Sequence, residues 1–384
     1  MKILYVTTYF DNIESAAVRN NSLIRGLTAI GHVVDVLTVE HPKAKTSELF
    51  ANCPCNKIIR TKIGITSFIE NKRKQLRWIN NSILGKAKDF IRETLFFPDV
   101  YSNWHKLVNI NNYGNYDIII SSSDCKSSHF VALKIKNRFR NIKWIQIWGD
   151  PWSLDTMLNQ WSRIRAKRKE RMLIKAADKV IYVSLFTYKA IGHKYPCYFD
   201  KVKYVPRSYY SEIIKDTKPG NKSCYKILYP GALTPERSCI SFLKNINNFN
   251  KNGGVRFEVI FYGNYLNTTM ELLQSFDFVT VHNSVSFEKI QEVYYDIDSF
   301  LFISNKESST QIPGKLFDFM GTNIPIICIV NPNNSELISF LNQFEKCLIY
   351  KENFLDIVNR IQTGEFTVEY QFSPENVADQ VLKC

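Results

Sequence analysis

The sequence predicts an α/β protein built from two Rossmann-like, doubly wound domains. Three observations predict it. Apolar, strand-like runs alternate with helical stretches along the chain, the pattern of parallel sheets joined by crossover helices. The alternation restarts once, after a stretch around 186–223 punctuated by Pro196, Pro206 and Pro219-Gly220. The 384 residues, 45% of them hydrophobic, supply two cores of ordinary size and are too apolar for a disordered chain.

The elements follow in order. Ile3-Leu4-Tyr5-Val6 is the first strand, and a polar loop runs from Thr7 to Ser15. A helix over 16–30 puts Val18, Leu23, Leu27 and Ile30 on one side, and Gly31 caps it. The strand at 33–39 completes a βαβ unit with a parallel pair. Further strands are predicted over 116–121, 143–148 and 179–184. The second unit opens at Lys226-Ile227-Leu228-Tyr229-Pro230-Gly231, with later strands over 257–262, 300–303 and 325–330. Ser373 before Pro374 marks the start of a terminal helix. There is no internal repeat and no low-complexity region.

The most telling stretch is Ile312-Pro313-Gly314-Lys315-Leu316-Phe317-Asp318-Phe319-Met320-Gly321-Thr322-Asn323, which leads into the last strand. Pro313 and Gly314 set a turn. Leu316, Phe317 and Met320 fall at helical spacing and give an apolar face. Asn323 stands where the helix must end, in the left-handed cap that Asn tolerates. Lys315, in the first turn, and Asp318, three residues on, share one side of the helix. The helix N-terminus adds free N–H groups and a positive dipole end. Cation, amides and carboxylate together suit a phosphate with a neighbouring sugar diol, the chemistry of a nucleotide-sugar.

This stretch resembles the donor-site motif of GT-B glycosyltransferases, in particular those similar to glycosyltransferase family 4. There a Pro-Gly-Lys or Pro-Ser-Lys turn precedes a Phe/Tyr-rich helix whose acidic residue binds the donor ribose, the position of Asp318. The family's usual Glu eight residues earlier is Thr310 here, so that pattern is incomplete, and Glu307 is out of register. Tyr229-Pro230-Gly231-Ala232-Leu233-Thr234-Pro235-Glu236-Arg237 is similar to the family's Gly-x5-Arg turn after the same strand. Gly231 admits close approach of the backbone, and Arg237 can grip a diphosphate with two prongs.

The resemblance implies two domains facing each other across a cleft: 1–190 for the acceptor, 191–372 for the donor, and 373–384 as a helix packing back on the first. It implies a donor site of Gly231, Arg237, Thr310, Gln311, Gly314, Lys315, Leu316 and Asp318. Arg237 and Lys315 would hold the two phosphates and stabilise the leaving group's growing charge, in place of a divalent metal. No resident cofactor is expected, since the nucleotide-sugar is a co-substrate. The family likeness further implies retention of anomeric configuration.

In the first domain, Trp148-Gly149-Asp150-Pro151-Trp152 follows an apolar strand, at the sheet end where doubly wound folds bind ligands. It resembles an Asp-Pro-Trp of some family 4 enzymes, where Arg usually stands at the Gly149 position. Asp150 is expected to hydrogen-bond an acceptor hydroxyl and Trp152 to stack on a sugar, against a plain turn with a core Trp. Arg19 and Asn20 open the first helix and join the acceptor set, against a solvated helix start. His129, at a helix start, is a further catalytic candidate, weighed against a structural histidine. His32 is a turn residue at the opposite sheet edge.

The net charge of +14 calls for anionic partners. No nucleic-acid motif accompanies it, so an anionic membrane surface is expected rather than nucleic acid. The amphipathic basic stretch over 68–101 and the run Arg163-Ile164-Arg165-Ala166-Lys167-Arg168-Lys169-Glu170-Arg171 carry that expectation. No run is apolar enough to cross a bilayer and no leader pattern opens the chain, so the protein is expected in the cytoplasm, peripheral at the inner membrane face. Nine Cys without metal spacing read as reduced thiols. The expected activity is transfer of a sugar to a hydroxyl of a glycan, lipid-linked on a surface polysaccharide pathway. The alternatives are a nucleotide-sugar epimerase of the same layout and a non-catalytic nucleotide- or sugar-binding protein. A nicotinamide enzyme is disfavoured, because no Gly-x-Gly-x-x-Gly follows either first strand.

Overall fold

A computed structural model describes residues 1–41, 46–63, 97–155, 158–216, 222–233, 237–252, 254–305 and 310–384. Nearly all of the expected amphipathic stretch at 68–101, and Glu307, lie outside them. The chain divides into two compact units, one of Met1–Tyr210 with Ser373–Cys384, the other of Ser211–Phe372.

The first unit is a seven-stranded sheet of β1 (Lys2–Val6), β2 (Val33–Val39), β3 (Lys57–Thr61), β4 (Ile118–Ser123), β5 (Lys143–Trp148), β6 (Lys179–Tyr182) and β7 (Val202–Tyr204). The order is β3-β2-β1-β4-β5-β6-β7, and every described pair is parallel. Burial on both faces explains the unbroken apolar runs: Ile3, Leu4, Tyr5 and Val6 are all fully buried. Because β7 pairs with β6, this unit runs on to Tyr210 rather than stopping at 190.

The second unit has six parallel strands: β8 (Cys224–Pro230), β9 (Arg256–Tyr262), β10 (Val279–His282), β11 (Ser299–Ile303), β12 (Ile326–Ile329) and β13 (Cys347–Ile349). Their order is β10-β9-β8-β11-β12-β13. Each sheet therefore winds outward in both directions from its first strand, and the order reverses between β1 and β4 and between β8 and β11. Crevices at the carboxyl ends of the strands beside such reversals are where doubly wound sheets bind ligands.

The helix Ser15–Ala29 ends as its sequence requires. Gly31 has φ +87°, its N–H reaches the Thr28 carbonyl, and the His32 N–H reaches Leu27. This is the paired-bond termination that glycine permits. The terminal helix Pro374–Lys383 is capped by the Ser373 hydroxyl, which accepts from the Asn376 N–H at 3.2 Å. It lies against the helix Ser15–Ala29, where Gly26 makes room: a Cβ there would sit 1.9 Å from the Pro374 carbonyl oxygen and 3.1 Å from the Ala378 Cβ.

That contact is testable. Gly26→Ala gains about 1 kcal/mol of helix propensity, but the overlap with a packed backbone costs about 1–3 kcal/mol. Equilibrium denaturation should therefore show net destabilisation. A Gly26→Ala variant more stable than wild type would mean that the terminal helix does not close on this surface.

Candidate active site

In the second unit the helix Lys315–Met320 is short, with six residues, and four of them are buried: Leu316, Phe317, Phe319 and Met320. The Phe319 ring stacks on Phe300 of β11 at 4.0 Å, and Phe317 meets Phe372 edge-on at 5.4 Å. Only Lys315 and Asp318 are left partly exposed, one turn apart on the same flank.

Two expectations about this helix are corrected. The Leu316 and Phe317 N–H groups already donate to the Pro313 and Gly314 carbonyls, both at 3.1 Å, so they are not open to an anion. Leu316, expected to touch the donor, is fully buried, and Gly314 has an ordinary φ of −58°. The left-handed cap at Asn323 is also absent: the helix ends on Gly321 at φ −76°. Asn323 instead clasps Lys215, accepting from its N–H and donating to its carbonyl, both at 2.9 Å.

Lys315 reaches back over the end of β8. A Cβ on Gly231 would lie 1.4 Å from Lys315 Nζ, so the ammonium occupies space that only glycine leaves open. The same ammonium lies 5.4 Å from the centroid of the Tyr229 ring, in cation–π range. The Gly231 carbonyl accepts from Tyr265 Oη at 2.7 Å, and a Cβ on Gly263 would collide with that carbonyl at 2.6 Å. Arg237 donates through Nε to Asn305 Oδ1 at 2.8 Å, and Asn305 Nδ2 donates to the Gln311 carbonyl at 3.1 Å. Burial pushes the Tyr229 phenol up, and Arg237 beside it pulls it back. The structure thus brings Gly231, Arg237, Gln311 and Lys315 together at the β8/β11 reversal, with Thr310 and Asp318 on the same connection and helix. Asn305, Tyr265 and Gly263 complete the cluster and were missed. Asn305 carried a usable signal, two residues past the end of a central strand.

A further residue holds the helix from behind. Lys346 is 1% exposed, and its ammonium donates to the carbonyls of Phe319 at 3.1 Å, Thr322, and Thr367 at 3.3 Å. A cation at a helix C-terminus satisfies carbonyls that have no partner within the helix.

In the first unit the residues expected at the acceptor site separate into two groups. Asn20 is fully buried and spent internally. It accepts from Tyr5 Oη at 3.0 Å and Ser122 Oγ at 2.7 Å, and donates to Thr7 Oγ1 at 2.8 Å and the Tyr9 carbonyl at 2.7 Å. Trp152 is a core residue, 4% exposed and stacked on Phe97 at 5.3 Å, so it is not open to a sugar. His129 is fully buried, its Nδ1 2.7 Å from Ser121 Oγ and its ring 4.5 Å from that of Trp148. Burial pushes its pKa well below the histidine range, with Lys126 and Arg19 adding to the effect. It is a neutral packing residue, not an accessible acid or base.

Arg19 and Asp150 remain at the β1/β4/β5 strand ends. Arg19 donates through Nη2 to Asp124 Oδ1 at 2.6 Å and Ser122 Oγ at 3.0 Å. Its Nη1 would stand 2.1 Å from a Cβ at Gly149, so glycine at 149 leaves the seat for this guanidinium. Asp150 is exposed. Its loop is fixed by Glu170, whose buried carboxylate accepts the N–H groups of Trp152 at 3.1 Å and Ser153 at 3.3 Å, together with Tyr195 Oη at 2.9 Å.

No protein-family model matches the chain, and no curated protein sequence does. Among solved structures it is similar to Anabaena HepE in complex with UDP and glucose, at 11% identity and a TM-score of 0.50, covering 100% of this chain and 95% of that one. It is also similar to an alpha-glucosyltransferase in complex with UDP-glucose and DNA containing an abasic site, at 8% identity and a TM-score of 0.55, covering 100% and 94%. The chain has the GT-B fold. At these identities the likeness speaks for the fold alone.

Lys346 gives a pH-dependent test. Burial pushes its ammonium down to about 7, with Cys347 and Glu369 acting the other way. The unfolded chain keeps that proton up to the ordinary lysine value of 10.5. Unfolded chains then bind more protons between these values, so this group's contribution to stability rises with pH across that window. Thermal melts of wild type and Lys346→Met should show wild type gaining on the variant as pH rises from about 7 to about 10. A difference that does not change with pH would show that the amine stays charged in the fold.

Proposed function

We propose that this protein is a glycosyltransferase that moves a sugar from a nucleoside-diphosphate donor to a hydroxyl of a glycan acceptor. One observation carries the reading. The helix Lys315–Met320 buries all but a cation and a carboxylate, and that cation is seated over a glycine beside a tethered arginine. Lys315 and Arg237 hold the diphosphate, and Asp318 accepts from the ribose hydroxyls. The nucleotides bound by HepE and the alpha-glucosyltransferase support a uridine donor as the first choice.

In the proposed reaction the bond between the anomeric carbon and the phosphate oxygen breaks, and both electrons leave with the diphosphate. The two cations stabilise that charge. The acceptor oxygen bonds the same carbon from the leaving-group face, giving retention, and its proton passes to the departing phosphate. Asp150 orients the acceptor hydroxyl. We assign the acceptor to lipid-linked surface polysaccharide assembly at the cytoplasmic membrane face.

Arg237→Ala or Lys315→Ala should each lower turnover by roughly 10²-fold, the scale for one preorganised stabilising group. Both should leave the fold intact, and wild-type activity should survive EDTA. Wild-type rates in both variants would move the donor site elsewhere.

Asp318→Asn keeps the shape but weakens charged hydrogen bonds worth about 1.5–3 kcal/mol. Titration calorimetry with UDP should show a loss of roughly ten- to a hundredfold in affinity. An unchanged Kd would place the ribose away from this carboxylate.

A further inference from the structure

The helix Gln160–Ala176 turns a narrow stripe inward: Ser162, Ala166, Glu170, Leu173 and Ile174 are buried. Every Lys and Arg in it, from Arg163 to Lys175, is exposed. Its one carboxylate, Glu170, is fully buried against Ser153 and Tyr195, so it cannot balance the outer face. Some of the positive charge is steadied locally. Arg165 lies 4.1 Å over the Phe97 ring, and Arg163 donates to the Leu158 carbonyl at 3.1 Å.

Charge alone would make this a solvated helix. The apolar residues argue otherwise. Trp161, Ile164 and Met172 are 68%, 49% and 36% exposed. With Arg168 and Lys175 they occur at steps of three and four residues, which traces one line along the helix, opposite the buried stripe. The solvent pole of this helix therefore carries Trp, Ile and Met, flanked by cations. A helix that meets only water gains nothing from that arrangement. A helix lying in a lipid headgroup layer has one. Its cations meet anionic headgroups, its indole sits at the boundary, and its aliphatic groups enter the acyl edge.

We propose that the outer face of Gln160–Ala176 docks on an anionic lipid surface. The helix is about 25 Å long at the usual rise per residue, so contact extends over several headgroups. Charge complementarity selects the partner: a face with cations and no exposed carboxylate of its own attracts phospholipids with net negative heads. The outward Trp–Ile–Met line selects a layered partner over a purely polyanionic one, because a nucleic-acid backbone offers nothing for Ile164 and Met172 to enter.

The test is flotation of the full-length protein with phosphatidylcholine vesicles, with and without phosphatidylglycerol. Binding should require the anionic lipid and should fall steeply with salt, as the screening length shortens to ~3 Å at 1 M. Replacing Arg168, Arg171 and Lys175 together with Gln should lower partitioning about a hundredfold. Trp161→Ser should weaken binding and remove the blue shift in Trp emission that wild type shows on anionic vesicles. The Tm of each variant, measured without lipid, controls for folding. Equal binding by wild type and both variants, equal binding to neutral and anionic vesicles, or displacement from vesicles by a short duplex at equal phosphate concentration would overturn the proposal.

Discussion

A strand that must lie parallel to its neighbour cannot turn straight back. The chain has to cross over the sheet first, and that constraint orders everything else in each unit. It puts all carboxyl strand ends on one edge and all crossover helices on the faces. Each sheet then grows from its first strand in both directions, and the two connections leaving the central strands part company at the reversal. The gap between them is lined by loop backbone and by side chains from those loops and the neighbouring helices. Gly231 and Asn305 come from one such pair of loops, and Arg19 and Asp124 lie at the other.

Both reversals use the same device to place a cation. A glycine at a strand end gives up its side-chain volume, and a long basic side chain from a neighbouring helix takes the space. Lys315 does so over Gly231, and Arg19 does so over Gly149. The consequences differ. Arg19 is ion-paired with Asp124 at 2.6 Å with both side chains about nine-tenths buried, so removing either partner would strand the other charge. Lys315 sits on a π face, on a helix packed so closely that the cation's origin cannot wander. Stacking of Phe319 on Phe300 and the Lys346 cap fix the helix from the other side. Precise placement of Lys315 and Asp318 thus depends on apolar contacts and on a buried amine at the far end of their helix.

The acceptor half of the expected site shows how burial sorts residues that look alike in a sequence. Asn20, Trp152 and His129 all lie near strand ends, and all three are consumed by the interior. Their hydrogen bonds and ring contacts stiffen the loops beside Arg19 and Asp150. Glu170 does the same for the Asp150 loop by taking two successive backbone N–H groups. The exposed functional candidates are few because the polar residues around them hold backbone in place.

The sequence by itself determined the two parallel sheets, their central strands and the helix that carries Lys315 and Asp318. These are set by local spacing: unbroken apolar runs for strands buried on both faces, and a proline, a glycine and a helical apolar face for the motif. The edge strands β3, β7, β10 and β13 were illegible, because runs of three to five residues are too short to carry a pattern of their own and pair only where a finished sheet offers an edge. The glycine seats, the clasp of Asn323 on Lys215, the withdrawal of Asn20, Trp152 and His129 into the core, and the cap by Lys346 were decided by tertiary structure alone. Each joins residues far apart in the chain, and the energy that selects it comes from burial and hydrogen bonds that exist only after the sheets have formed.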